Sequence, residues 1–359
     1  MGTDANGDQV ILATGGYDHS IRLWQAHSGL CQRTLQHADS QVNVLDVSPD
    51  RQHIAAGGYQ HIRTYDINSA NSNPVVSYEG HTKNVTALGF HEDGLWMYSG
   101  GEDFSARIWD SRQENPSLPF CCFFFTSRTP ACQRVFETNA PVNCACLHSN
   151  QCELFVGDQS GVVYAWDLRT NQNEQVALDV DVSVQHLDVD SSGQHLAAID
   201  NKGVCYLFTL CAGTDNQMAS PERLLKFAAH KRYGLKCRFS PDGSLLVTSS
   251  ADATARVWRL SDLLASGDDN GPERLVRRSS SQSSATRAWK VADILPTAEL
   301  SNANQRWVWD VAFSGDAQFL ITASSDSVAR LWSVEPAEVK REFSGHQKAL
   351  TALAFRDGA

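Results

Sequence analysis

One pattern returns seven times along this chain and restricts its fold more than any other feature: a strand, a tight turn, and a second strand ending on an aromatic residue. The units are Ile11–Trp24, Ile54–Tyr65, Met97–Trp109, Leu154–Trp166, Leu196–Phe208, Leu246–Trp258 and Leu320–Trp332. A segment of alternating apolar residues running into a turn precedes each unit after the first. These segments are Val42–Asp50, Val85–Gly94, Val142–Asn150, Val184–Gly193, Gly234–Gly243 and Val308–Asp316. A further copy, Leu350–Gly358, has no unit after it. Alternation at period two reads as strand, and the Pro-Asp, Glu-Asp-Gly and Pro-Asp-Gly turns read as hairpins. A repeat of this kind cannot bury its faces alone and must stack on its neighbours.

The surplus first unit and the surplus last strand complete each other. Leu350–Phe355 should pair with Ile11–Thr14, which closes a ring and removes the open sheet edges that template aggregation. Repeats ending near Trp-Asp mark propeller blades. The expectation is therefore an all-β, seven-bladed WD40 β-propeller whose first blade is closed by the C-terminal strand. Its first blade takes residues 9–36 plus 346–357, and the others 41–79, 84–138, 141–178, 182–227, 233–300 and 306–344.

Polar residues at fixed places in the repeat support this reading. WD40 blades resemble one another in a buried hydrogen-bond relay of a loop His, a strand Ser or Thr, a turn Asp and a strand Trp. The third blade supplies His81, Ser99, Asp103 and Trp109, and the sixth supplies His230, Thr248, Asp252 and Trp258. In the first blade Thr14, Asp18 and Trp24 come from one end of the chain and His346 from the other. Buried polar groups must be paired, so each relay stiffens its blade. The seventh blade has Asn304 where the His is expected, the fourth and fifth lack the His, and the fifth ends on Phe208. Those blades are expected to be held mainly by their neighbours.

Composition excludes several functions. A formal charge of -11 over 359 residues argues against a nucleic-acid partner. No apolar run approaches the roughly 18 residues of a membrane span, and the polar start lacks a secretory core, so a cytoplasmic protein is expected. The ten cysteines form no CxxC pair and the twelve histidines no metal spacing. No phosphate-binding Gly loop, HExxH or GxSxG is present. Asp18-His19-Ser20 holds three triad residue types, but they are consecutive on a turn and cannot converge as a triad must. No catalytic, cofactor or metal residue is assigned.

Two stretches interrupt the repeat. Residues 114–131 (ENPSLPFCCFFFTSRTPA) are rich in Pro, Phe and Cys without strand alternation. Such residues have pyrimidine-rich codons, and we read the stretch as translated intron beside a splice site; its presence in every mature message would reject that. Residues 261–305 include the polar run Arg277–Arg287, a flexible loop by composition, with Arg277-Arg278 before serines as a basic-directed kinase motif. The outer strand of the sixth blade should lie inside it, near Ala288–Leu295.

The segments VILATGGYDHSIRLWQAHSGLCQRTLQH, QHIRTYD, GFHEDGLWMYSGGEDFSARIWD, VGDQSG, LKCRFSPD and GHQKALTALAF go beyond the generic repeat. They resemble the WD40 subunits of target-of-rapamycin (TOR) kinase complexes, the G-protein β-subunit-like family, over nearly the whole chain except the interruptions. The resemblance implies a non-catalytic scaffold bound to the C-terminal lobe of a TOR-type Ser/Thr kinase domain, stabilising it alongside other complex subunits in nutrient signalling. By resemblance, Gln41, Asn43, Trp307 and Trp309 match the kinase-contacting positions, with Tyr233 and Asn84 as weaker candidates. Two tryptophans at a propeller rim have the makeup of a binding hot spot, against the plainer reading that one packs between blades. The alternative is a substrate receptor of a cullin-RING ubiquitin ligase, since Trp109-Asp110-Ser111-Arg112 and Trp166-Asp167-Leu168-Arg169 fit the WDxR pattern. A third reading, a phosphopeptide-binding propeller, requires arginines converging on one face.

Overall fold

A computed structural model describes residues 2–3, 9–111, 132–211, 220–268 and 291–357. The first blade runs from an innermost strand Leu350–Arg356 through Gln9–Gly16 and Ser20–Trp24 to Cys31–Gln36. The second comprises Val44–Val47, His53–Gly57, Tyr59–Asp66 and the start of Val76–Phe90. That long strand continues as the innermost strand of the third blade, followed by Trp96–Gly101, Ser105–Asp110 and Cys132–Glu137. The fourth has Val142–Leu147, Glu153–Asp158, Val162–Asp167 and Asn173–Ala177. The fifth has Val184–Val189, His195–Asp200, Val204–Cys211 and Ser220–Ala228. The sixth has Gly234–Phe239, Leu245–Ser250, Ala255–Arg259 and Ala298–Leu300. The seventh has Val308–Phe313, Phe319–Ser324, Val328–Ser333 and Glu338–Ser344. Neighbouring strands are antiparallel throughout, and a bridge from Tyr59 to Asn84 fuses the second and third blades into one sheet.

Closure is direct. Leu12 pairs with Phe355 and Ile11 with Arg356. Seven apolar clusters, one at each junction between blades, form a continuous annular core. The junction of the last blade with the first packs Leu12, Trp24 and Leu353 against Ile321 and Phe343. Central strands have neighbours on both faces, so Glu153–Asp158 is buried at every position, whereas the outer strand Glu338–Ser344 alternates. Around the axis the inner strands are stitched by carboxylates. Phe90 N–H donates to Asp46, Phe239 N–H to Asp188 and Leu353 N–H to Asp310, each across a blade junction.

Antiparallel order sorts the connections onto two faces. The turns between first and second, and third and fourth strands lie on one. The turns between second and third strands, and the links to the next blade, lie on the other, which also carries the relays.

The sixth blade differs from the sequence expectation. Its outer strand is Ala298–Leu300, paired with Ala255–Val257, and not Ala288–Leu295. Residues 288–290 lie outside the described residues, while Ala292 bridges Phe227 of the fifth blade and donates its N–H to the Lys226 carbonyl. The interruption also begins as a helix, Leu260–Asp268, which buries Leu263 in the core between the fifth and sixth blades. Its chain thus covers the exposed edge of the fifth blade, a use of loop sequence that strand propensity does not reveal. The stretch 114–131 and the run Arg277–Arg287 lie outside the described residues. No helix among the described residues is long and apolar enough to cross a membrane.

Candidate functional site: the relay face

The relays form as donor-to-acceptor chains. In the third blade Trp109 Nε1–H donates to Ser99 Oγ at 2.8 Å, and Ser99 lies 2.7 Å from His81 Nε2. His81 Nδ1 stands 3.0 Å from Asp103. The sixth blade repeats this with Trp258 to Thr248 at 3.0 Å, Thr248 to His230 at 2.9 Å and His230 to Asp252 at 3.0 Å. In the first, Trp24 donates to Thr14 at 2.7 Å, Thr14 lies 2.8 Å from His346, and His346 lies 2.8 Å from Asp18. With the hydroxyl donating to Nε2, the imidazole proton sits on Nδ1 and points at the carboxylate. Burial alone would raise the Asp103 and Asp252 carboxyls, but the bonds and charge of His81 and His230, added to the hydroxyls of Ser105 and Thr254 and the N–H groups of Thr82 and Thr254, together hold both well below the usual range. For Asp18, burial is outweighed by the Gln347 N–H and by His346.

Four blades satisfy the same positions differently, which the sequence reading missed. Tyr164 donates to Asp158 at 3.1 Å and Tyr206 to Asp200 at 2.9 Å, so the fourth and fifth blades have tyrosine relays of their own. The signal was an Asp at the end of the second strand with Tyr six residues on. In the second blade His37 lies 3.1 Å from the Tyr65 hydroxyl. In the seventh, Trp332 still donates to Thr322 at 2.9 Å, while Arg330 pairs with Asp326 at 2.6 Å in place of a His.

The four predicted contact residues lie on the rim of this face. Trp309 sits at a β-bulge: Val308 pairs with Ser324 and Asp310 with Ala323, leaving Trp309 the extra residue. The same irregularity recurs at Thr86, Asn143, Gln185, Leu235 and Thr351. Asn43 holds the same place, its N–H joined to the Gly57 carbonyl that faces Val44. A bulge bends its strand and re-aims one side chain, here the same position in all seven blades. At three of them the side chain reaches the next blade: Thr86 bonds the Val142 carbonyl, Asn143 the Val184 carbonyl and Thr351 the Val42 carbonyl. Trp309 is too large for that and turns to its own blade, donating Nε1–H to Ser325 at 2.9 Å. Its ring lies 5.7 Å from that of Trp307, which is 42% exposed.

Gln41 donates to Asn84 at 3.3 Å, and Asn84 donates to Glu102 at 3.0 Å, a polar chain along the rim of the second and third blades. The Asn43 Nδ2 is buried without a hydrogen-bond partner among the described residues. The first blade stands between the Gln41–Asn43 pair and the tryptophan pair, so the four residues form two patches on one face. As for the WDxR pattern, Arg169 is drawn back onto Asp167 at 3.5 Å, and Arg112 lies outside the described residues.

Every exposed large aromatic among the described residues is on this face. Tyr17, Tyr59 and Phe104 occupy the turns between second and third strands, and Tyr233 and Trp307 the links leading into the sixth and seventh blades. The relay face exposes Lys83, Lys202, Lys231, Arg232, Arg306 and Lys348 together with the acids Asp39, Asp179 and Asp181, while the opposite face exposes Asp50, Glu92, Asp93, Asp242, Asp316 and Glu335 together with Arg169.

Seven antiparallel blades closed through a relay shared by both chain ends define a WD40-class propeller. Consistently, the model of the WD domain, G-beta repeat, matches residues 3–25, 29–66, 72–110, 222–259 and 296–333. Over 350 residues the chain is 49% identical to "Target of rapamycin complex subunit LST8" of Bos taurus, covering 98% of this chain and 96% of that one. It is 42% identical over 255 residues to "Target of rapamycin complex subunit wat1" of Schizosaccharomyces pombe, covering 71% and 76%. It is 39% identical over 252 residues to "Target of rapamycin complex subunit LST8-1" of Arabidopsis thaliana, covering 70% and 77%. The chain belongs to the LST8 family of WD40 propellers.

Proposed function

We propose that this chain is a non-catalytic subunit of TOR kinase complexes that docks on the kinase through its relay face, with Trp307 and Trp309 as one anchor and Gln41 and Asn43 as the other. The observation that carries this is the confinement of all five exposed large aromatics among the described residues to that face. Exposed aromatics cost solubility, and a patch of them in a polar rim is the makeup of a protein-binding surface. The names of the relatives supply the kind of complex. Rigidity supports the reading: the relays and the annular core preorganise the rim, so little ordering entropy is lost on binding. A subunit that binds in this way stabilises the conformation of the kinase it contacts by mass action.

The test is affinity capture of the tagged full chain, followed by mass spectrometry. The wild-type chain is expected to retain a TOR-type kinase, and the Trp307→Ala/Trp309→Ala chain to lose it while remaining folded. Undiminished capture by that variant, or recovery of a cullin adaptor in place of the kinase, rejects the proposal.

A further inference from the structure

We infer that the cleft between the fifth, sixth and seventh blades on the relay face is a subsite for an acidic peptide segment of a partner protein. The cleft holds about 490 Å³ and is lined by Asn201, Lys202, Lys231, Arg232, Tyr233 and Trp307. The inference rests on the relay face being a docking face, and it adds the chemistry of what docks beside Trp307.

Backbone geometry forces the three cations together. Gly203 has φ of +80°, and a Cβ there would meet the Arg232 carbonyl oxygen at 2.3 Å. Only glycine lets the Asn201–Gly203 turn press this closely on the His230–Arg232 link. The His230 N–H donates to the Gly203 carbonyl at 2.9 Å, locking the two loops. Asp200 holds the turn by accepting from the N–H groups of Lys202 and Val204, both at 2.8 Å. The Ala251 N–H fixes Tyr233 through its carbonyl at 2.9 Å. Lys202, Lys231 and Arg232 are thus brought together by rigid backbone, yet all three are exposed and none forms an ion pair or side-chain hydrogen bond among the described residues. The nearby carboxylate of Asp179 is occupied by Lys226. Asp181 is the exposed acid of the neighbouring link.

In a chain of net charge -11, three clustered cations whose nearby acids are Asp181 and the Asp179 already bonded to Lys226 still repel one another, a cost that a carboxylate-bearing ligand relieves. Tyr233, 54% exposed, and Trp307 supply flat apolar contact beside them. Two lysines and a single arginine suit dispersed carboxylates better than one phosphate, which is held best by convergent arginines. The cleft opens broadly to solvent, as an extended segment requires.

The test uses the full chain and a short fluorescein-labelled peptide of alternating glutamate and leucine, read by fluorescence anisotropy. The same peptide with glutamine, and one with a phosphoserine among glutamines, serve as comparisons. The glutamate peptide is expected to bind, to weaken several-fold as salt rises from about 50 to about 200 mM, and to outbind both others. Lys202→Glu/Lys231→Glu/Arg232→Glu is expected to weaken it by roughly tenfold or more, and Lys340→Glu, on an outer strand, to leave it unchanged. Should the triple variant not fold, Lys202→Gln and Lys231→Gln singly are expected to weaken binding by about threefold each. Equal binding of the glutamate and glutamine peptides, an unaffected charge variant, or preference for phosphoserine overturns the inference. Kinase capture by Trp309→Ala, a residue outside the cleft, is read in parallel: retained capture there rejects the docking reading alone, whereas retained peptide binding by the charge variant rejects the cleft alone.

Discussion

Thr14 Oγ1 and His346 Nε2 stand 2.8 Å apart although 332 residues separate them, so the relay of the first blade exists only while the ring is closed. Replacing His346 by alanine takes one partner each from the buried Thr14 hydroxyl and the Asp18 carboxylate and loosens the closing strand. We predict a loss of about 2–4 kcal/mol in denaturant unfolding. The same change at His81 should cost a similar amount but leave the junction intact. Limited proteolysis distinguishes the two: cleavage within Leu350–Arg356 should appear first for His346→Ala and not for His81→Ala. Equal resistance of that strand in both variants would contradict a closing role.

Gly16 tests closure from the other side. A Cβ there would lie 2.2 Å from the Ala349 carbonyl oxygen, so backbone must move. Gly16→Ala is predicted to destabilise by about 1–3 kcal/mol, as overpacking does. An unchanged thermal midpoint would show that the strand is not held as described.

The two tryptophans should separate in their effects. Trp307 is exposed, and its replacement by alanine is predicted to shift stability by no more than about 0.5 kcal/mol. Trp309 is half-buried and bonded to Ser325, so Trp309→Ala should cost about 1–3 kcal/mol. Each is expected to weaken kinase association by about 2 kcal/mol, roughly thirtyfold. Titration of the purified variants against the kinase domain measures both, and a Trp307 variant with full affinity would remove it from the site.

Acid sensitivity has two windows. Burial, then the positive neighbours His61 and Arg63, push the His37 imidazole down to about 3, whereas an unfolded histidine titrates near 6.5. Between those values the unfolded chain binds more protons, so stability falls as pH drops through this range. By pH 5 the His37 share is about 2 kcal/mol. His61, His186 and His346, also lowered by burial, act in the same direction. The depressed carboxyls of Asp103 and Asp252 contribute stability that persists above their unfolded values near 3.9 and is lost only in stronger acid. Urea midpoints at pH 7.5 and 5 should therefore differ, and less so in His37→Gln; an identical difference would refute the assignment.

The turns between first and second strands each place one residue in the left-handed region. Gly94, Gly193 and Gly243 do so freely, but Arg51, Gln151 and Ala317 occupy the same place with φ of 58°, 59° and 56°. Ala317→Gly is predicted to stabilise the protein by up to about 1 kcal/mol. A lowered midpoint in calorimetry would mean that its methyl contact outweighs the backbone strain.

Much of this was legible because the repeat is periodic. Strand pairs, blade number and the closing match of Leu12 with Phe355 follow from alternation and turn residues alone. The three full relays were readable because their four residue types recur at fixed offsets. Substitutes such as Tyr206 for the histidine relay were not, since a tyrosine on a strand usually signals core. The sixth outer strand was misplaced because Ala298–Leu300 is only three residues long and polar at its centre. The cationic cleft was invisible because Lys202, Lys231 and Trp307 come from three blades, and only the close approach at Gly203 gathers them.

The Tyr59–Asn84 bridge joins the second and third blades without a hinge, and Asn84 is also the acceptor for Gln41. Amide protons across this pair of blades should exchange with solvent as one block, slowly. In the proposed docking, induced fit would then fall to the tryptophan end, leaving the Gln41 end as the fixed jaw of a clamp.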